Sequence, residues 1–178
     1  SLLKKSLDLF KLKKASKDTF FWSGKNVGYK RIFGGQVMGQ SLVAAYKTVN
    51  TEHFAHSFHS YFLRPGDMTK EIIFSVDRIR DGKSFTTRTV KAIQDNEVIF
   101  NCSISFQKKE EGLEHQIDMP NVPAPQSLKS EIELREALLE KLNMNKDDMP
   151  MFIKQKEIEM RPVEEQDYFN PKRMPPYK

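Results

Sequence analysis

The sequence predicts an α+β fold in which one strongly twisted antiparallel sheet wraps around a single long helix. Three observations predict it. Over residues 98–106, Val98, Phe100, Cys102, Ile104 and Phe106 alternate with Ile99, Asn101, Ser103 and Ser105, the period of a half-buried strand. Over residues 36–49, Val37, Met38, Leu42, Val43, Ala44, Ala45, Tyr46 and Val49 leave few polar gaps. A helix that apolar nearly all round must be buried on most of its sides. Further strand-like runs precede and follow that helix, so the order reads strand, helix, then four strands in an antiparallel meander.

Each element follows from its local pattern. Leu3, Leu7 and Phe10 stand at helical spacing among lysines and predict a short amphipathic helix within residues 1–14. Residues 19–22 read as an edge strand. Phe54, Phe58 and Phe62 mark the first strand after the long helix, with His56 and Ser60 on the same face. Ile72, Phe74 and Val76 mark the next, and residues 85–93, rich in Thr and Val, the third. Asp81-Gly82-Lys83-Ser84 and Asp95-Asn96 are turn signals between strands. Strands of about ten residues span roughly 33 Å. Such a sheet keeps a second face and open edges, which predicts pairing with a second copy or with a second half of the same chain.

Beyond the sheet the character changes. Met119-Pro120-Asn121-Val122-Pro123-Ala124-Pro125 suits neither a helix interior nor a central strand and reads as an extended strap. Ser130 and Glu133 form a capping-box pattern that opens a helix over about 130–142. Residues 168–178 hold three prolines and read as a linker. The organisation expected is 1–17 amphipathic helix, 18–110 sheet-and-helix domain, 111–155 strap and helix, and 156–178 the start of a further unit.

Composition narrows the function. The 178 residues carry 29 Lys plus Arg against 24 Asp plus Glu, a net charge of +5. The basic residues are interleaved with acids and not with stacking aromatics, so nucleic acid is not the expected partner. Cys102 is the single cysteine, which excludes an internal disulfide framework. No run of about 18 apolar residues predicts a membrane span, and no long apolar stretch near the start predicts a secretory signal. A reducing compartment is the expectation. Nothing matches G-x-G-x-x-G, a P-loop or G-x-S-x-G. His53, His56 and His59 do not predict a metal site, because strand alternation points His56 away from the other two. His56 reads as a general base or as a hydrogen-bonded core or interface histidine. Gly34 and Gly35 permit either close ligand approach or tight packing. Gln36 and Gln40 sit where the helix begins, and the helix carries no Asp or Glu. Arg80 and Lys83, with Arg78 and Arg88, flank the Asp81-Gly82 turn as phosphate contacts or as solvated turn charges. Cys102, on the apolar face, reads as a core residue.

Several ordered motifs carry a family resemblance: Arg31-Ile32-Phe33-Gly34-Gly35-Gln36-Val37-Met38-Gly39-Gln40, His56-Ser57-Phe58-His59-Ser60-Tyr61-Phe62-Leu63-Arg64-Pro65-Gly66-Asp67, Arg80-Asp81-Gly82-Lys83-Ser84-Phe85, Ser105-Phe106-Gln107 and His115-Gln116. Together they closely resemble the acyl-CoA thioesterase II family over about residues 2–163. The resemblance implies a hotdog fold, a sheet wrapped around a long helix, as the first half of a double hotdog. It implies hydrolysis of fatty acyl-CoA to fatty acid and CoA by an activated water, without a cofactor or metal. The family's catalytic Asp, Ser or Thr, and Gln lie in the second repeat, so no catalytic residue is assigned in this chain. The chain reads as the first repeat plus the connection, inactive alone. Substrate contacts are expected from Gly34, Gly35, Gln36, His56, Arg80 and Lys83. The partners implied are acyl-CoA, a second hotdog repeat or hotdog subunit, and a homo-oligomer; the compartment is the cytoplasm, or the peroxisome in a eukaryote. The alternatives are an inactive acyl-CoA-binding or structural module, or a hotdog hydratase. The hydratase needs an Asp–His pair, and the helix has neither.

Overall fold

The strand alternation becomes one six-stranded antiparallel sheet. The computed structural model describes residues 2–24, 30–150, 152 and 158–164. In chain order the first part holds helix α1 (Leu2–Leu9), strands β1 (Lys13–Lys14) and β2 (Thr19–Trp22), helix α2 (Gly34–Tyr46), and strands β3 (His53–Phe62), β4 (Ile72–Asp81), β5 (Phe85–Gln94) and β6 (Glu97–Lys108). The sheet order is β1-β2-β4-β5-β6-β3. Two compact units result, residues 3–113 and residues 114–178. The sheet and α2 belong to the first.

Three strand expectations need correction. Only β4, β5 and β6 form a meander; β3 pairs with β6, on the side away from β4. The connection over 63–71 is too long for a tight hairpin, and it carries the chain from one side of the sheet toward the other. Residues 19–22 are not an edge, because β1 pairs with their outer side and β4 with their inner side. A bulge between Ala55 and Ser57 also breaks the alternation of β3. Phe58, Ser60 and Phe62 pair with Ile104, Cys102 and Phe100 and face the core. Phe54 pairs with Gln107 and faces outward, and His56 bonds to Ser105 on that same outer face. Phe54 and Phe58 therefore do not share a face.

The inner face carries the core. Phe20, Trp22, Ile72, Phe74, Val90, Ala92, Phe100, Ile104 and Phe106 are buried against Val37, Ala44 and Ala45 of α2. A second bulge, between Ala92 and Ile93, leaves Ile99 unpaired and turns it inward, so that both Ile99 and Phe100 are buried. The β5–β6 turn is Asp95-Asn96, both with positive φ (50° and 63°), which asparagine and aspartate tolerate best among non-glycine residues. At Gly39 a Cβ would stand 2.5 Å from the Phe10 ring, so this helix glycine admits the residue that closes α1 over α2.

Arg88 ties α2 to the sheet. It is 1% exposed. Its Nε donates to Thr48 Oγ1 at 2.8 Å and its Nη2 to the Thr48 carbonyl at 3.0 Å, just past the C-terminus of α2. Nη1 donates to the carbonyls of Arg80 and Thr87 at 3.1 and 2.9 Å, and Nη2 also meets the Asp81 carboxylate. A buried cation is tolerated only with its donors used.

The second unit is built around helix α3 (Glu131–Lys141), which starts in the expected capping box of Ser130 and Glu133. Its Leu139 is fully buried. The Glu131 amide donates to the Met160 carbonyl at 2.8 Å, and Arg135 Nη1 donates to the Phe152 carbonyl at 2.8 Å. Residues 109–127 are exposed and hold no strand. The expected start of a further unit at 156–178 lies mostly outside the described residues.

Replacing Arg88 by Met removes the donors to the buried Thr48 acceptors and to the part-buried Arg80 and Thr87 carbonyls. The expected loss is about 3 kcal/mol of unfolding free energy. Chemical denaturation monitored by far-UV circular dichroism measures it; a loss below about 1 kcal/mol would show that α2 does not depend on this anchor.

Candidate functional site

The first turn of α2 opens on Phe33, an extended residue (φ −67°, ψ 127°) that offers no side-chain cap, and the turn holds no acid. The free amides and positive dipole end of a helix are thus left without a built-in anion. Beside them is a cleft of about 360 Å³. Ile32, Val37, Ile99 and Phe100 are its buried apolar wall. Phe62 and Leu63, 58% and 51% exposed, form its lip. Arg31, Gly34 and the Arg64-Pro65-Gly66 turn complete the rim.

The rim is held by backbone pairing. The Ile32 amide donates to the Gly66 carbonyl at 3.0 Å and the Met68 amide to the Lys30 carbonyl at 2.8 Å. Buried Gln94 accepts from the Asp67 amide through Oε1 and donates to the Asp67 carbonyl through Nε2, both at 2.8 Å. The Leu63 and Arg64 amides both donate to the carbonyl of bulged Ile99. Arg64 reaches the Val98 carbonyl and the Glu97 carboxylate, both at 2.8 Å, so its charge is matched. Arg31 has no ion-pair partner among the described residues. The Asp67 carboxyl is held below its ordinary range by bonds from the Thr69 hydroxyl and amide.

The candidate residues separate into two groups. Gly34, Gly35 and Gln36 stand at the N-terminal end of α2, on the inner side of the sheet. Gln36 is 5% exposed and its Nε2 has no hydrogen-bond partner. Gln40, one turn on, donates Nε2 to the Leu9 carbonyl at 2.7 Å. A Cβ at Gly34 would meet the Phe62 ring at 2.9 Å and one at Gly35 the Phe33 ring at 2.5 Å, so both glycines admit aromatic rings.

His56, Arg80 and Lys83 lie at the other end. Arg80 pairs with Thr87, Thr87 with Ser105, and Ser105 accepts or donates at 2.9 Å to His56 Nε2. These side chains make one row across the outer face. His56 is exposed and not a core residue, with Phe85 edge-on at 5.9 Å. The Ala55–Ser57 bulge also changes the histidine geometry. His53 is buried on the inner side, while His56 and His59 are both exposed, His59 pairing with outer-face Ser103. Among the described residues no cluster of three His, Cys, Asp or Glu side chains can hold a metal ion. The His56–Ser105 pair lacks a carboxylate bonded to the other ring nitrogen among the described residues, so it is not an activated nucleophile. Cys102 is buried and its thiol is pushed up to about 12, chiefly by burial. It is a core residue and not a nucleophile.

Sequence reading missed the cleft's other walls. Arg64-Pro65-Gly66 was legible only as a turn, and Ile99 as an outward residue. The signal that could have found them is the length of the 63–71 connection, which excludes a hairpin there.

The fold and the glycine-led helix entrance define a hotdog-type domain. Residues 23–107 match the family model described as acyl-CoA thioesterase N-terminal domain. Acyl-coenzyme A thioesterase 8 from Mus musculus is 45% identical over 118 residues, covering 66% of this chain and 37% of that protein. Acyl-CoA thioesterase 2 from Haemophilus influenzae is 40% identical over 130 residues, covering 73% of this chain and 46% of that protein. Among solved structures, an acyl-CoA thioesterase II, TesB2, from Mycobacterium marinum superposes with a TM-score of 0.65 at 42% identity, covering 70% of this chain and 47% of that one. The chain belongs to the acyl-CoA thioesterase II family. It spans less than half the length of these relatives.

The Cys102 thiol should be silent toward a disulfide reagent at about pH 8, where an ordinary exposed thiol reacts readily. Full reaction is expected only after denaturation. Stoichiometric labelling of the native chain, followed by absorbance, would show that this part of the core opens.

Proposed function

We propose that this chain is the N-terminal half of an acyl-CoA thioesterase, which hydrolyses fatty acyl-CoA to fatty acid and CoA by water attack. The observation that carries the reading is the apolar cleft against the uncapped first turn of α2, in a chain similar to thioesterases over its sheet-and-helix unit. The chain brings apolar wall and helix dipole but no acid or base in that turn. Water attack needs a general base within hydrogen-bond reach, so the second repeat supplies it. The domain scheme of strap and second-repeat start after the sheet belongs to the same proposal.

Gly34, Gly35 and Gln36 take the acyl-facing role. His56 and Arg80 sit on the other face and Lys83 in the turn between β4 and β5, and the proposal gives them a separate role: polar contacts to the phosphates of CoA presented from a neighbouring repeat. Two or three cations suffice for such a group.

The two sheet edges support a hotdog partner. The β1 edge is two residues long and both are lysine, a device that blunts pairing. The β3 edge is ten residues long, contains neither lysine nor proline, and exposes Phe54, Tyr61 and Phe62 by 57%, 62% and 58%. A second repeat, or a second copy in a homo-oligomer, pairs there. No helix among the described residues is long and apolar enough to cross a membrane. The cytoplasm, or the peroxisome in a eukaryote, is the compartment proposed; a relative from Saccharomyces cerevisiae is named a peroxisomal acyl-coenzyme A thioester hydrolase.

Release of free CoA thiol from long-chain acyl-CoA tests the reading. The 178-residue chain should show none, and a version extended through the second repeat should turn over. Turnover by the short chain would place the chemistry within it. In the extended enzyme, the Arg80→Gln, Lys83→Gln double variant should raise KM about tenfold with kcat nearly unchanged, the signature of lost ground-state binding. An unchanged KM would remove the phosphate role. Phe54→Lys with Tyr61→Lys should turn a self-associated short chain monomeric by sedimentation; persistence of the oligomer would place the interface elsewhere.

A further inference from the structure

We propose that α1 and the β1–β2 hairpin form a platform that docks on an anionic lipid bilayer. Residues 1–17 hold six lysines and one aspartate, a net charge of +5. The rest of the sequence holds 23 Lys plus Arg and 23 Asp plus Glu. The whole excess charge of the chain therefore sits in this one segment.

The fold makes that segment a fixed surface and not a loose tail. Leu12 is buried in the core, the Phe10 ring lies over Gly39, and Gln40 holds the Leu9 carbonyl. The Ala15 and Ser16 amides donate to the Thr19 carbonyl at 2.9 and 3.1 Å and close the hairpin. The acids nearest in sequence are engaged: Asp8 pairs with Lys11 at 2.7 Å and Asp18 with Arg78 at 2.8 Å. Lys13, Lys14 and Lys17 are exposed and pair with no carboxylate among the described residues.

Geometry selects the occupant. Neighbours on a strand point to opposite faces, so Lys13 and Lys14 straddle the sheet edge, while Lys17 stands in the hairpin turn. Cations divided in this way do not converge on one phosphate, but a broad plane of negative charge meets them all. Protection of the edge does not account for Lys17, which lies outside β1. Leu7, 56% exposed on the last turn of α1, adds an apolar group that a bilayer interface takes up and a phosphate backbone does not. Phe21, the aromatic beside these lysines, is half-buried with Lys13 Nζ 5.7 Å from its ring centroid, so it offers no open ring for a base to stack on.

The inference goes beyond the thioesterase reading and does not rest on it. Docking uses neither the cleft nor a second repeat, so the two fail separately.

The test is co-sedimentation of the 178-residue chain with extruded vesicles of phosphatidylcholine, alone or with about 30% phosphatidylglycerol. The chain should partition onto the anionic vesicles about a hundredfold more strongly than onto the neutral ones. Raising NaCl from about 0.1 to about 0.5 M should release it, because the screening length shrinks. The triple variant Lys13→Gln, Lys14→Gln, Lys17→Gln should lose about a hundredfold in partitioning, at roughly fivefold per lysine. The charge-matched variant Lys109→Gln, Lys129→Gln, Lys141→Gln, at exposed sites elsewhere, should lose less than about threefold. Leu7→Ser should weaken binding about fivefold at either salt concentration. All these side chains are exposed, and an unchanged far-UV circular dichroism melt confirms that each variant is folded. Equal partitioning onto neutral and anionic vesicles, absence of partitioning, or equal losses in the two triple variants would each overturn the proposal. Tighter binding to duplex DNA at the same phosphate concentration would assign the surface to nucleic acid and overturn it as well.

Discussion

A helix apolar on nearly every side cannot remain in water, and the rest of this domain follows from covering α2. Val37, Ala44 and Ala45 are buried against the inner face of the sheet, and Gln36, Gln40 and Ser41 are buried on the same helix. Burial of that kind drives folding but has no direction of its own. Direction comes from polar ties at the two ends. Gln40 holds the Leu9 carbonyl near the start, and Arg88 grips Thr48 beyond the finish. Once the helix is fixed, so is the entrance at Gly34 and the cleft beside it.

Bulges then decide what the sheet offers on each side. The interruption at Ala55–Ser57 sends His56 outward and keeps Phe58 and Phe62 inward. The one at Ala92–Ile93 turns Ile99 inward, where its side chain walls the cleft and its carbonyl takes the Leu63 and Arg64 amides. Each is a one-residue shift, and each reverses the faces that simple alternation assigns. The outer surface is left as a polar row from Arg80 through Thr87 and Ser105 to His56, chemically unlike the apolar inner end.

The edges differ for a related reason. A short lysine edge at β1 resists pairing, and a long edge free of lysine and proline at β3 invites it. That asymmetry is why the proposed function seats the second hotdog unit at β3. The first turn of α2 carries only glycines, an amide side chain and apolar residues, which is why the proposed function assigns the acid and base chemistry to the second repeat.

Element identity was legible in the sequence because it depends on short-range periodicity. The alternation in β6, the apolar coat of α2 and the Ser130–Glu133 cap each declare themselves within a few residues. The family resemblance was legible for the same reason, since its motifs are local strings. Strand order was not, because β3 meets β6 across the intervening residues 63–96, and neighbours that distant leave no periodic trace. The predicted site residues were found as residue types, but their division between an inner and an outer group was decided by bulges. The cleft itself was decided by tertiary structure alone: Ile99, Gly66 and Arg31 come from separate segments and become one surface only when the long 63–71 connection folds back over the start of α2.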